Sequence, residues 1–256
     1  MQISQVAAQL YTLRNFLQTP VEIGETLKKV RAIGYEAVQV SGLAPIDEAE
    51  LKAMLDGEGL VCCATHESTQ TILEQPEKVV ERLQKLDCLF TAVPSPGLYD
   101  VSTLEAIKTF AAKMNAAGKV LAKNGQTLTY HNHHFEFVRF GDKTMLEMFY
   151  DETEARNLQG EIDTYWVQYG GGSTLAWCKR LKNRLPLIHL KDYGIGAEQK
   201  PVFREIGQGN LNWQDILPAA EAAECQWFIV EQDTCEGDPF EALQTSFEFL
   251  KRNFCD

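Results

Sequence analysis

"QWFIVEQD" (226–233), with "PFEALQTSFEFLKR" (239–252) behind it, is the couple from which the fold is read. Its centre, Trp227 to Val230, is a short continuous apolar run, and Glu231 and Asp233 stand at its end. A strand of that kind is buried on both faces, and the amphipathic stretch behind it reads as a helix. The couple recurs along the whole chain. "ISQVAAQL" (3–10) precedes "VEIGETLKKVRAIG" (21–34), and "EAVQVSG" (36–42) precedes "IDEAELKAMLDGEG" (46–59). In the latter, Ile46, Leu51, Met54 and Leu55 have helical spacing and a glycine stop follows. "LVCCATH" (60–66), "CLFTAVP" (88–94), "TLTYHNH" (127–133), "LQGEIDTYW" (158–166) and "PLIHLKD" (186–192) open the remaining couples.

Eight couples in 256 residues average 32 residues each, the size of a βα pair. The pattern predicts a (β/α)8 TIM barrel, a single domain over residues 1–256. A doubly wound open sheet is the runner-up. That fold carries a glycine-rich phosphate loop after its first strand, and "LYTLRN" (10–15) is not one.

Composition narrows the function. A net charge of −12 with no basic run speaks against nucleic acid as a partner, because neutralising phosphates takes Lys and Arg. No run of eighteen apolar residues appears, so no membrane span is expected, and the start lacks the pattern of a signal peptide. The seven cysteines are an odd number without CxxC spacing. Disulfides and a structural zinc are therefore not expected, and a cytoplasmic location is.

In a barrel the chemistry gathers at the carboxyl ends of the strands. Those ends carry His66, His131, His133, Asp163, His189, Lys191, Asp192, Glu231 and Asp233, and all five histidines fall at or just after a strand's end. An acid in such a place also serves to cap the next helix, as Asp192 or Asp233 could. The recurrence of His and carboxylate at four successive strand ends favours chemistry. Asp163, His189 and Glu231 offer mixed oxygen and nitrogen donors suited to one divalent cation, Mn2+, Mg2+, Co2+ or Zn2+.

At these residues the chain resembles the xylose-isomerase-like barrels, also described as sugar phosphate isomerases/epimerases. "QLYTLR", "GYEAVQVSG", "YHNHHFEF", "EIDTYWVQYGG", "LPLIHLKD", "EIGQGNLNW" and "WFIVEQD" follow that family's segments in its order over essentially the whole chain. The resemblance implies a metal site with one ligand from each of strands five to eight. Asp163, His189 and Glu231 match the last three. At strand five many relatives have Glu-Asn-His where this chain has His131-Asn132-His133. Either His131 takes the ligand's place, or Glu136 folds back from the loop to restore a carboxylate. Three carboxylates suit a hard dication better, which favours Glu136. "GGGST" (170–174) is a second departure, where relatives often carry Asp-Pro.

The activity implied is a divalent-metal-dependent sugar isomerase or epimerase, which abstracts a proton next to a carbonyl and passes through an enediolate. Glu231, His131 and His133 are the expected catalytic groups, imidazole titrating near neutrality. His66, Lys191 and Trp166 are expected to bind substrate; Tyr165 and Trp213 could join Trp166 in an apolar wall, although an aromatic near a barrel rim is more often there for packing. His134 is expected to point away. The glycines of "EIGQGNLNW" (205–213) are read as a loop turn in preference to a phosphate cradle, and no Arg/Lys cluster marks a phosphorylated substrate. A dehydratase or a 3-keto-glycoside lyase/hydrolase would use the same metal site, and a non-catalytic sugar-binding barrel is a rival of another class. An AP endonuclease would need more histidines and a basic surface.

Overall fold

Among residues 1–255, which the computed structural model describes, eight parallel strands close into a barrel. They are β1 (Val6–Gln9), β2 (Ala37–Val40), β3 (Val61–His66) and β4 (Phe90–Val93). β5 (Thr127–His131), β6 (Gln159–Asp163), β7 (Leu187–Leu190) and β8 (Trp227–Val230) complete it. Each pairs with its neighbours in sequence, and β1 closes the ring on β8 through Val6–Phe228, Ala7–Ile229 and Ala8–Val230.

Alternate residues of the strands serve two separate cores, as the two-residue repeat of an extended chain requires. Val38, Leu128, Ile162, Ile188 and Phe228 pack outward, in one cluster with helical residues such as Leu27, Phe110 and Leu250. Ala7, Ala37, Cys63, Phe90, Leu187 and Ile229 fill the barrel's interior as a second cluster. Two residues further along the same strands, the interior positions become Gln9, Gln39, His189 and Glu231. The barrel is thus plugged by hydrocarbon towards the amino ends of its strands and turns polar towards the carboxyl ends.

Hydroxyl and carboxylate caps start the surrounding helices: Thr19 for Pro20–Ile33, Asp47 for Glu48–Glu58, Thr103 for Leu104–Lys123 and Asp238 for Pro239–Asn253. Pro20 and Pro239 occupy first-turn positions, where a missing N–H is no loss. Residues 158–166, expected as one strand, divide at Asp163. Its Oδ1 accepts the Trp166 N–H at 2.9 Å and starts the short helix Thr164–Tyr169. After β7 an antiparallel hairpin, Asp192–Ile195 with Pro201–Arg204, rises over the carboxyl end.

Gly118 lets its helix approach the chain at Asn157 closely, for a Cβ there would sit against the carbonyl oxygen of Asn157. Gly118→Ala is expected to destabilise the fold by about 1–3 kcal/mol through overpacking. Urea denaturation checks this, and an unchanged midpoint would contradict it. Cys62, Cys63, Cys88, Cys178 and Cys225 are buried thiols without disulfides. No helix among the described residues is long and apolar enough to cross a membrane.

Candidate metal centre and active site

The ends of β5 to β8 converge on one point. His131 and Asp163 are the last residues of β5 and β6, His189 lies within β7, and Glu231 directly follows β8. All four are buried, and one ligand atom from each lies within 4.8 Å of the others. His131 Nε2 is 3.3 Å from Asp163 Oδ2, and His189 Nδ1 is 2.9 Å from Glu231 Oε2. Lys191, two residues beyond His189, points into the same group. Its ammonium lies 2.9 Å from Asp163, 2.7 Å from Glu231 and 3.1 Å from Asp233.

A carboxylate that sequence reasoning missed lies beneath this group. Glu161, fully buried, stands 2.8 Å from His189 Nε2 and 2.5 Å from His66 Nε2. Gln39 Nε2 donates to both of its oxygens at 3.1 Å, and Gln39 Oε1 in turn accepts from Gln9 at 2.7 Å. Thr129 adds a fourth donor at 3.4 Å. Burial pushes the Glu161 carboxyl up, but His66 and His189 outweigh it and hold it well below the ordinary carboxylate range. With its lone pairs taken up, Glu161 orients His189 and leaves Nδ1 facing Asp163 and Glu231. A signal existed: Glu161 precedes Asp163 by two and so shares its side of the strand.

Glu136, expected as the strand-five ligand, is placed elsewhere. It lies in the turn Phe135–Phe137, where its carboxylate accepts from the Tyr130 hydroxyl at 2.7 Å and the His133 N–H at 2.8 Å. Burial pushes its pKa up to about 7. Those hydrogen bonds hold it in the turn, outside the group formed with Asp163, His189 and Glu231. From strand five it is His131 that stands with Asp163, His189 and Glu231.

Above the group opens a cavity of about 640 Å3 lined by Tyr11, Arg14, His66, His131, His133 and Glu231, among others. Lys191 is 1% exposed and sits behind the carboxylates rather than on the cavity wall. Trp166 packs beside it, with the ammonium 5.6 Å from the Trp166 ring and 5.7 Å from Phe203. His133 lies 5.5 Å from Trp166 between ring centroids, and each leaves a buried ring nitrogen, Nδ1 and Nε1, without a partner. Tyr165 stacks on Phe203 at 4.1 Å. His134 is exposed against Trp166 and Tyr169.

Trp213 does not join this wall. It is buried, and its indole N–H donates to Asp192 at 2.8 Å. The backbone N–H groups of Gly207, Gly209 and Leu211 donate to the same carboxylate. The "GQG" turn therefore wraps an internal anion, and a Cβ at Gly209 would collide with that carboxylate. Asp192 thereby ties the loop after β7 to the barrel.

The electrostatics are set by close packing of unlike charges. Burial pushes Glu231 up, but Lys191 and His189 outweigh it and hold it well below its ordinary value. Burial also pulls Lys191 down, while Asp163, Glu231 and Asp233 more than restore its charge. Burial pulls His133 down to about 3, so its ring is neutral. Asp233 is pushed by burial up to about 6.

Two imidazoles and two carboxylates suit a hard or borderline dication, and the carboxylates offset its charge. Behind His189, Gln39 Oε1 lies 2.6 Å and Glu161 2.8 Å from Nε2, outer partners that would fix the ring with Nδ1 towards a cation. Lys191 keeps Asp233 and two aromatic faces as alternative partners. The residues fit a divalent cation. Burial pulls His189 down, but Glu161 and Glu231 hold its pKa at about 10. Below that pH the ring carries a proton that a cation on Nδ1 must displace. Cation uptake at pH 7–8 is therefore expected to release about one proton, with affinity rising about tenfold per pH unit. Calorimetry in buffers of different ionisation enthalpy measures this, and uptake without proton release would contradict it.

A family model described as xylose isomerase-like TIM barrel matches residues 27–253. Among curated proteins the chain is similar to an inosose dehydratase of Geobacillus thermodenitrificans, 24% identical over 155 residues, 54% of this chain and 51% of that protein. The chain spans about half the length of the curated relatives it matches. A sugar phosphate isomerase/epimerase from Parabacteroides distasonis has a similar structure, with TM-score 0.83 and 22% identity over 98% of this chain and 95% of that one. D-allulose 3-epimerase from Methylomonas sp. gives TM-score 0.71 and 14% identity, with 97% of each chain covered. At these identities the likeness is one of fold.

Proposed function

Because the chain belongs to the xylose isomerase-like TIM barrel family, we propose that it is a divalent-cation-dependent isomerase or epimerase acting on a sugar. One observation carries this reading: His131, Asp163, His189 and Glu231 meet below a cavity of about 640 Å3, a size suited to a small ligand. The name of the D-allulose 3-epimerase neighbour agrees with it. Those four residues would hold the cation, which supplies a Lewis acid for a carbonyl and its neighbouring hydroxyl.

The chain's own groups do the proton transfer. Lys191 and His189 keep Glu231 ionised, so its carboxylate takes the proton from the carbon beside the carbonyl. His131 faces the site from β5, three strands round the ring from β8, and serves the other side of the sugar. His133, neutral and with Nδ1 unpartnered, binds a sugar hydroxyl. Return of the proton to the opposite face epimerises the carbon, while delivery to its neighbour isomerises an aldose to a ketose. A phosphate in this cavity would meet Glu67, Glu231 and Asp233 against the single guanidinium of Arg14, so the sugar is unphosphorylated.

A second reading, a dehydratase, is favoured by Asp233, which lines the cavity with its carboxyl pushed by burial up to about 6. Such an acid can protonate a departing hydroxyl, and the curated relatives are named inosose dehydratases. A panel of sugars and 3-keto sugars, incubated with Mn2+ in D2O and followed by NMR, tests both. Deuterium beside the carbonyl of an isomerised sugar is the expected result, and loss of water assigns the second reading. Bound sugar without turnover across the panel would make the barrel a binding protein and overturn both.

A further inference from the structure

Lys191 stands on the oxygens that a cation needs. Its ammonium lies 2.9 Å from Asp163 Oδ2 and 2.7 Å from Glu231 Oε2. Those two atoms are also the ones that face the imidazoles, with His131 Nε2 3.3 Å from the first and His189 Nδ1 2.9 Å from the second. The other oxygen of Asp163 is already engaged, since Oδ1 accepts the Trp166 N–H at 2.9 Å and starts the helix there. A divalent cation and the ammonium therefore compete for the same lone pairs. Their like charges also repel across a buried centre, where screening by water is weak.

The chain provides another place for the ammonium. It donates to Asp233 Oδ1 at 3.1 Å, a carboxylate on the cavity wall outside the four-residue group. The rings of Trp166 and Phe203 lie 5.6 and 5.7 Å away, within cation–π range. The backbone is pinned, for the Lys191 N–H donates to Thr164 Oγ1 at 2.9 Å and its carbonyl accepts from that hydroxyl at 2.8 Å. Movement is thus confined to the four-carbon stem, which carries a compact charge with three rotatable donors.

We propose that Lys191 is a built-in competitor for the cation: on cation binding its ammonium gives up Asp163 and Glu231 and keeps Asp233. This rests on the divalent-cation reading above. The exchange leaves the buried carboxylates charge-compensated in both states, as their burial demands. It also sets a threshold of charge. A monovalent cation brings no more charge to these oxygens than the ammonium already supplies, whereas a dication does. Lys191 thereby selects for a dication, and Asp233 sets how readily it yields.

The test is Mn2+ binding, read by calorimetry and by the EPR signal of free Mn2+, in wild type, Lys191→Met, Asp233→Asn and the double variant. Lys191→Met removes the competitor and keeps the length of the stem, so binding is expected to tighten about tenfold or more. A lysine that only braced the site would weaken binding when removed. Asp233→Asn takes away the ammonium's other partner and is expected to weaken binding about tenfold. With Lys191→Met already in place, the same change is expected to matter by about twofold at most. Crystals of wild type with and without Mn2+ give a readout that needs no variant. The ammonium is expected on Asp233, and off Asp163 and Glu231, in the loaded crystal. An ammonium still on Asp163 and Glu231 beside bound Mn2+ overturns the exchange alone. So does equal or weaker binding by Lys191→Met, or an Asp233 effect that persists without Lys191. No Mn2+ taken up by wild type or any variant overturns the cation reading and the exchange together.

Discussion

Asp163→Asn and His189→Ala are each expected to reduce bound divalent metal from about one per chain to below about a tenth. Each removes a donor from a buried group that has four, and the cation's charge loses an offset or its geometry loses a corner. Glu161→Gln is the informative companion. It leaves the four donors in place but removes the charge 2.8 Å behind His189 Nε2, which Gln39 Oε1 at 2.6 Å also helps to orient. A loss of about 10–100-fold in affinity is expected, short of abolition. Metal analysis of dialysed protein and competition with a chelating dye measure all three. Full occupancy in both Asp163→Asn and His189→Ala would remove the metal centre from the account.

Glu231→Gln is expected to lower turnover by about 10²–10⁴-fold and to abolish solvent deuterium exchange at the carbon beside the carbonyl. Lys191 at 2.7 Å and His189 at 2.9 Å hold this carboxylate ionised, and an amide cannot take the proton. Glu231 also belongs to the metal group, so the variant is assayed at cation concentrations that restore occupancy. Lost exchange with the metal bound identifies the base. Unchanged exchange would assign proton transfer to the β5 side, where His131 stands.

Much of the barrel was legible because the two-residue repeat and the helical repeat are both local properties of the chain. "WFIV" and "LIHL" read as doubly buried strands, and they are β8 and β7. The strand ends likewise announced His131, Asp163, His189 and Glu231, since a charged residue after an apolar run has to emerge where the run ends. Depth was not legible. Glu161 lies within a strand, two residues below the mouth, and its value depends on Gln39 and His66 from strands on the far side of the ring. Glu136 was illegible for the opposite reason. A carboxylate five residues past a ligand position looks available, but Tyr130 and the His133 N–H lie nearer than the metal group. Lys191 reads as a substrate contact, and its burial among three carboxylates was not legible from the chain.

Crystals soaked in Mn2+ and measured for anomalous scattering provide the most direct test. The account predicts one peak ligated by His131, Asp163, His189 and Glu231, with Glu136 still on Tyr130 and Glu161 behind His189. A peak ligated by Glu136, a peak among His66, Glu161 and His189, or no peak at all would contradict it.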